Sequence, residues 1–430
     1  MSGAGYVFVP QDALVKIAAS SEGVGGIGLR HVPSENFYVV HVVETAPQIR
    51  QQVVIPKAYT ALRWGDVGFE GRWVRRASSE LNLLHVDLLR RPGAAVPYAT
   101  FTELMGVTLD PGAQALLVLT HDPDVTDELR AVGVEEYAGW SLTREGASPF
   151  PIAVEPAVIG MQQLLDRWPV EDLSTLTVAV VGCGSIGGVA ADALAGYGVG
   201  SLYLVDDDRF LWHNMIRHML GPESVGRNKA TALADNLIKR WGNDRIYAMP
   251  LDVVRQADIF RALMRNVDLV VCTADGVAPR RVVSHAARRA NTPAILACVL
   301  DRGAVGEVLR LRPTPRYGCL LCLRASLAQA GAMDAEADQE LAYGTGSAHQ
   351  PMTAIPSDLR LIGVLAAKFA TATLLESRFG DGAQQLPGEH AIVGLRPGGD
   401  LAAPFDLHHA GDIRWSLIPP PREDCPTCAP

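Results

Sequence analysis

The sequence predicts an α/β protein built on a mostly parallel sheet with helices on both faces, preceded by a separate α+β domain. Three observations predict it. From about Leu173 onward, short apolar or β-branched runs alternate with helix-length stretches, as a doubly covered parallel sheet requires. A glycine-rich turn, Gly182-Cys183-Gly184-Ser185-Ile186-Gly187, joins the first such run to the first such helix. Residues 1–155 lack this alternation and carry short β-rich runs separated by Gly and Pro, which sets a domain boundary before residues 156–430.

Each element follows from its residues. Thr177–Val181 is a β-branched strand, residues 186–197 an apolar helix, and Ser201–Val205 a second strand. Residues 227–241 have helical period, 245–249 and 267–272 read as strands, 279–290 as a helix and 293–298 as a strand. Residues 324–357, rich in Ala, Gly, Ser and acids, read as a long loop-like excursion. Residues 359–376 look like a long apolar helix, and the tail is proline-rich before its final cysteine pair. In the first domain, residues 38–43 and 115–119 are the clearest strands, and 155–173 link it to the sheet.

Composition narrows the function. Apolar residues at 48% and charged residues at 20% give material for packed cores and little sign of disorder. A net charge of −9, without a basic stripe, argues against a nucleic-acid partner. Apolar runs are of strand length, too short to span a bilayer, and no secretory leader is evident. Four of the seven cysteines fall in two Cys-x-x-Cys pairs, a metal-like usage, so a cytoplasmic enzyme is expected.

The chemistry concentrates behind the glycine turn. Gly182 permits a sharp bend, Gly184 lets backbone approach a phosphate, and Gly187 permits close packing of helix on strand. Asp206 lies about 20 residues on, where an acid binds a ribose hydroxyl. A nicotinamide-dependent dehydrogenase would show both features and stays open at this point. It does not require the next layer: Asn214, Arg217, Lys229 and Asp275. A guanidinium, an ammonium and a magnesium ion suit a reaction that builds charge on phosphate oxygens, and Asp275 suits the metal or the phosphates. Asp206, Asp208 and Asp275 fall at predicted strand ends, where ligands of such sheets bind.

The run VAVVGCGSIGG, LAGYGVGSLYLVDDDRF, HNMIRHM, VGRNKA and DLVVCTADG resembles the ThiF/MoeB/HesA family, the E1-like adenylyltransferases, from Thr177 to the C-terminus. The resemblance implies a Rossmann-like adenylation fold that uses ATP and magnesium to adenylate the C-terminal carboxylate of a ubiquitin-like protein or another small protein ending in glycine. In some branches the substrate is a peptide or a tRNA-linked acid. It assigns Asp206 to the ribose, Asn214, Arg217 and Lys229 to the phosphates, Asp275 to magnesium and Asp208 to a further polar contact. It also implies a homodimer, often with an arginine reaching across from the partner. The corresponding stretch here, Gly160-Met161-Gln162-Gln163, lacks that arginine, and Arg167 is displaced from it.

Cys319-x-x-Cys322 and Cys425-x-x-Cys428 suit a closed four-thiolate zinc site. The long separation of the pairs excludes a compact finger and fits a clamp tying the tail to the sheet, as in the family. Many family members carry a nucleophilic cysteine after the first pair, whereas no cysteine lies between Cys322 and Cys425 here. Cys183, Cys272 and Cys298 read as buried packing. The expectation is adenylation without an enzyme thioester, an E2-like partner taking the acyl group, with an inactive scaffold of the same fold as the non-enzyme alternative.

The first domain is similar to the JAB/MPN metalloprotease fold, a pairing with ThiF-like domains found in bacterial ubiquitin-like conjugation and defence operons. Active members need His-x-His, Ser-x-x-Asp and a glutamate. Here His85-x-Asp87, Thr100-x-x-Glu103 and Glu22 stand instead, so an inactive, partner-positioning domain is expected.

Overall fold

The structure, a computed structural model, describes residues 5–76, 78–158, 160–332, 354–398 and 401–429. The chain divides into two compact units, Met1–Ile159 and Gly160–Pro430, a few residues beyond the boundary expected from sequence.

The first unit opens with β1 (Tyr6–Val9), α1 (Gln11–Ala19), β2 (Val24–Val32), β3 (Phe37–Ala46), β4 (Ile49–Gln52) and β5 (Asp66–Arg75). It continues with α2 (Glu80–Leu89), β6 (Val96–Pro97), α3 (Tyr98–Met105), β7 (Leu116–His121), α4 (Asp127–Ala131), β8 (Tyr137–Leu142), β9 (Gly146–Phe150) and β10 (Ile152–Val154). These strands form one sheet in the order β10-β1-β3-β2-β5-β7-β8-β9-β6, with β4 paired to β3. Strand alternation splits the core into two layers. Trp73, Leu117 and Leu119 pack with Ile17 of α1, while Val74, Val118 and Trp140 pack with Leu81 of α2 and Phe101 of α3.

The structure separates His85 from Asp87. Two residues apart on a strand they would share a face, but on helix α2 they point apart. His85 is buried against Trp140, ring centroids 5.1 Å apart, whereas Asp87 pairs with Arg91 at the surface.

The second unit contains α5 (Val170–Ser174), β11 (Thr177–Val181), α6 (Ser185–Gly196), β12 (Ser201–Val205), α7 (Lys229–Trp241), β13 (Ile246–Met249) and α8 (Ala257–Leu263). Then come β14 (Leu269–Cys272), α9 (Val277–Ala290), β15 (Ala294–Leu300), β16 (Val305–Leu311), α10 (Leu320–Gln329), α11 (Pro356–Leu374), β17 (His390–Gly394) and β18 (Ile413–Ser416). The sheet order is β13-β12-β11-β14-β15-β16-β17-β18, parallel through β15 and antiparallel beyond it. Val178 and Val180 face the layer of α6, α7 and α11, and Ala179 and Val181 face that of α8 and α9. Helix α11 lies close on α6, since a Cβ at Gly363 would meet the Ile186 carbonyl oxygen at 2.6 Å.

The excursion expected over 324–357 is shorter than the sequence suggested. Residues 324–329 continue α10, and Pro356 already opens α11. Residues 333–353 of that span lie outside the described residues.

The antiparallel extension carries two buried ionic groups. Arg310 donates to both oxygens of Glu389 at 2.8 Å and to Glu376 at 2.6 Å, and Arg312 joins the same two carboxylates. Glu307, fully buried, is met by Arg280, Arg324 and His390. Burial alone would push the Glu307 carboxyl up, but Arg324 and His390 hold it well below the usual carboxylate range.

Removing one partner of such a group strands the other in a poor solvent. Glu389→Ala is expected to destabilise the second unit by about 3–5 kcal/mol, read as a lower denaturant midpoint. A change under about 1 kcal/mol would mean that Arg310 and Arg312 reach water.

Candidate active site

A cavity of about 220 Å³ opens at the carboxyl ends of β11, β12 and β14. There the order of the sheet reverses around its first strand, the place where open α/β sheets receive ligands. The cavity is built mainly from the glycine turn, the stretch after β12, the start of α7, the segment after β13 and the end of β14, with Pro279 of α9 and Leu359 of α11 completing its wall.

The glycine turn is shaped by backbone crowding. Gly182 has φ +86°, and a Cβ there would meet Ala274 N at 2.5 Å. At Gly187 a Cβ would lie 1.8 Å from the Gly182 carbonyl oxygen and 2.3 Å from Thr273 Oγ1. At Gly184 a Cβ would meet nothing within 4 Å, so the backbone is open on that side. Gly184 is the cap of α6, whose first N–H groups and dipole favour an anion.

The end of β12 reaches back to this turn. Asp206 accepts from Cys183 N at 2.6 Å and from Asp208 N at 2.9 Å. Its surroundings push its pKa up to about 6, because burial outweighs the pull of Lys229. Lys229 opens α7 behind the cap Asn228, whose side chain accepts from Thr231 N and donates to the Asp206 and Asp208 carbonyls. The Lys229 ammonium donates to Asp208 at 2.7 Å. Burial pulls its pKa down, but Asp206, Asp208 and Asp275 together leave it raised.

Asn214 is buried, its amide oxygen engaged by Leu211 N at 2.8 Å, so its NH₂ is the group it can offer a ligand. Arg217 lines the cavity three residues on, near Asp275. The Asp275 carboxyl opens on the cavity but is hemmed in by its walls. That crowding raises its pKa against the pull of Arg217 and Lys229.

The structure therefore gathers Gly182, Gly184, Asp206, Asp208, Asn214, Arg217, Lys229 and Asp275 around one cavity, with Gly187 packed beneath it. Sequence reasoning missed Ser185, Asp207, Asp252, Thr273 and His218, which also line it. Thr273 directly follows strand β14 and donates to the Gly182 carbonyl at 2.7 Å, and its strand-end position was a usable signal. His218 lies in the HNMIRHM run that carries the resemblance, but nothing in that run singles it out.

The four predicted thiols also meet. Cys319 Sγ lies 3.5 Å from Cys425 Sγ and 3.9 Å from Cys322 Sγ, and Cys322 Sγ lies 3.8 Å from Cys428 Sγ. All four are buried in one cluster. These spacings are far beyond a disulfide bond and match the ~3.8 Å edge of a tetrahedron with 2.3 Å metal–sulfur bonds.

Fold and cavity define an α/β protein that presents an anion-receiving glycine turn beside two cations and a ring of aspartates. Residues 157–377, just over half of the chain, match the ThiF family, and the chain belongs to that family. The Escherichia coli sulfur carrier protein ThiS adenylyltransferase is 31% identical over 168 residues, 39% of this chain and 62% of that relative. The Vibrio cholerae ATP-dependent ubiquitin transferase-like protein Cap2 is 38% identical over 104 residues, 22% of this chain and 18% of that protein. A crystal structure of E. coli MccB with AMPCPP and MccA aligns at TM-score 0.45 and 18% identity, over 60% of this chain and 68% of that one. The chain spans less than two thirds of the length of these curated relatives. Among the described residues, no helix is long and apolar enough to cross a membrane.

Asp206 makes the cavity sensitive to pH. Its folded pKa of about 6 exceeds the ordinary 3.8, so the folded chain holds this proton more tightly than the unfolded chain does. The resulting stabilisation is complete below the ordinary value and is lost as pH rises through about 6. Carboxyl NMR is expected to show an aspartate titrating near 6 that is missing from Asp206→Asn. Titration at the ordinary value would mean that water reaches the carboxyl freely.

Proposed function

We propose that the protein is an ATP-dependent adenylyltransferase activating the C-terminal carboxylate of a ubiquitin-like protein. The observation that carries this reading is the meeting of Arg217, Lys229 and Asp275 in one cavity with the open backbone of Gly184. In the proposed step a carboxylate oxygen attacks the α-phosphorus of ATP. The bond to the bridging oxygen breaks, and pyrophosphate leaves with its electron pair, giving an acyl adenylate. Asp206 holds the ribose, and Asn214, Arg217 and Lys229 bind the phosphates and stabilise charge where it develops. Asp275, open to the cavity, is the carboxylate suited to hold a magnesium ion, which when bound would neutralise phosphate charge.

The substrate class draws support from relatives whose names specify a sulfur carrier protein, a ubiquitin-like modifier and a ubiquitin transferase-like protein. Transfer without an enzyme thioester is supported by the three cysteines outside the metal cluster, all buried. Burial pushes the Cys272 thiol up to about 11 and that of Cys183 well above its ordinary value, the reverse of what a nucleophile needs. An E2-like acceptor then takes the acyl group directly. Trp212 and Ile216, exposed beside Arg217, support a homodimer contact on this segment. Zinc is proposed for the four thiols, a closed site with structural work only. The first unit is proposed as a domain that positions partners, in keeping with His85 being committed to packing.

ATP–pyrophosphate exchange is expected only when a small protein ending in glycine is supplied, and Asp275→Ala should lower it by ~100-fold or more. Exchange retained in that variant would refute the assigned site. Exchange with a peptide alone would replace the substrate class while keeping the chemistry.

The purified protein is expected to carry one zinc per chain, and Cys425→Ser to lose it with a fall in the melting temperature. Metal-free protein that melts like the native protein would remove the structural assignment.

A further inference from the structure

We infer that His218 is a positioning residue that fixes the glycine turn for the phosphates; the inference rests on the nucleotide reading proposed above. His218 follows Arg217 directly, yet turns inward and is only 4% exposed. Its Nε2 lies 2.6 Å from the Cys183 carbonyl oxygen, and its Nδ1 accepts from Leu220 N at 3.2 Å. These two contacts set the tautomer. With the Nδ1 lone pair engaged by an N–H, the single proton of a neutral imidazole sits on Nε2 and is donated to Cys183. The ring stands edge-on to Phe210, centroids 5.1 Å apart, which holds it upright.

The consequence falls on the peptide linking Cys183 to Gly184. That unit is planar and trans, so its N–H points opposite to its carbonyl. Holding the carbonyl on His218 therefore aims the Gly184 N–H away from the histidine, and Gly184 lines the cavity with open space beside it. The preceding peptide is held as well, through the Cys183 N–H on Asp206 at 2.6 Å. The backbone of Cys183 is thus gripped from both sides, and the donor at Gly184 is pre-set. Preorganised donors of this kind need no rearrangement when the anion arrives.

The neutral ring suits this duty. Burial, together with the nearby Lys229 and Arg217, lowers its pKa to about 4 against the pull of the Cys183 carbonyl. A second proton at Nδ1 would face the Leu220 N–H and break the arrangement.

The test compares binding of magnesium–ATP by calorimetry in the wild-type chain, His218→Phe and His218→Gln. Phenylalanine keeps the ring volume against Phe210 without a donor, and glutamine supplies both a donor and an acceptor. His218→Phe is expected to weaken binding ~10-fold and His218→Gln to recover most of that loss. Wild-type-like binding by His218→Phe, or equal weakening in both variants, would overturn the inference, since a purely structural role affects both alike. If His218→Phe does not fold, His218→Leu takes its place as the donorless variant: ~10-fold weaker binding than in His218→Gln supports the inference, and equal binding in the two overturns it. A wild-type chain that binds no ATP would instead refute the nucleotide reading itself.

Discussion

No side chain fits at Gly187. With the Gly182 carbonyl 1.8 Å from where a Cβ would stand, and Thr273 Oγ1 at 2.3 Å, α6 rests directly on the ends of β11 and β14. Much of the site depends on that contact. It brings the first turn of α6 over the sheet, so its N–H groups meet the space in front of Asp275. It also requires the left-handed bend at Gly182, whose carbonyl is taken up by Thr273. A helix set even a methyl group farther out would loosen the crossing of α11, which packs against the same first turn at Ile186.

The charges of the site are balanced against a ligand rather than among themselves. Lys229 serves Asp206, Asp208 and Asp275 at once, and its pairing with Asp208 is a direct salt bridge. Asp207 and Asp252 add a fourth and a fifth carboxylate to the wall, while Arg217 is the second cation lining it. Acid therefore exceeds base in a space that the proposed function fills with a polyphosphate. A metal ion accompanying the nucleotide would resolve that mismatch, and burial, with Asp208 adding to it, raises the pKa values of Asp206 and Asp275.

Much of this was legible in the sequence because it is local. The glycine turn, the acid at the end of β12 and the cysteine pairs are read at fixed short spacings, and the parallel strands through β15 follow from apolar runs. What escaped is what only folding brings together. Thr273 and Gly182 are distant in sequence and touch because β11 and β14 are neighbours. Strand β16 escaped because the hallmark of its burial is charge: Glu307 and Arg310 sit in a strand whose every residue is buried, and a sequence reader places charged residues outside. The separation of His85 from Asp87 was likewise out of reach, since a two-residue spacing means a shared face only if the segment is a strand.

Those buried charges also explain how the thiol cluster is tied to the sheet. Helix α10 begins between the first two cysteines, and two residues beyond the second, Arg324 reaches Glu307 on β16. Arg280, from the first turns of the helix that follows Asp275, reaches the same carboxylate, and His390 meets it from β17. One buried acid therefore joins the helix after the site, the helix of the thiol cluster and the antiparallel extension. Apolar residues of equal volume could pack there with similar or greater stability. They would not choose among registers, because apolar surfaces slide where a carboxylate held by arginines does not. The ionic hub is best understood as fixing where α10 lies, with net stability a secondary gain.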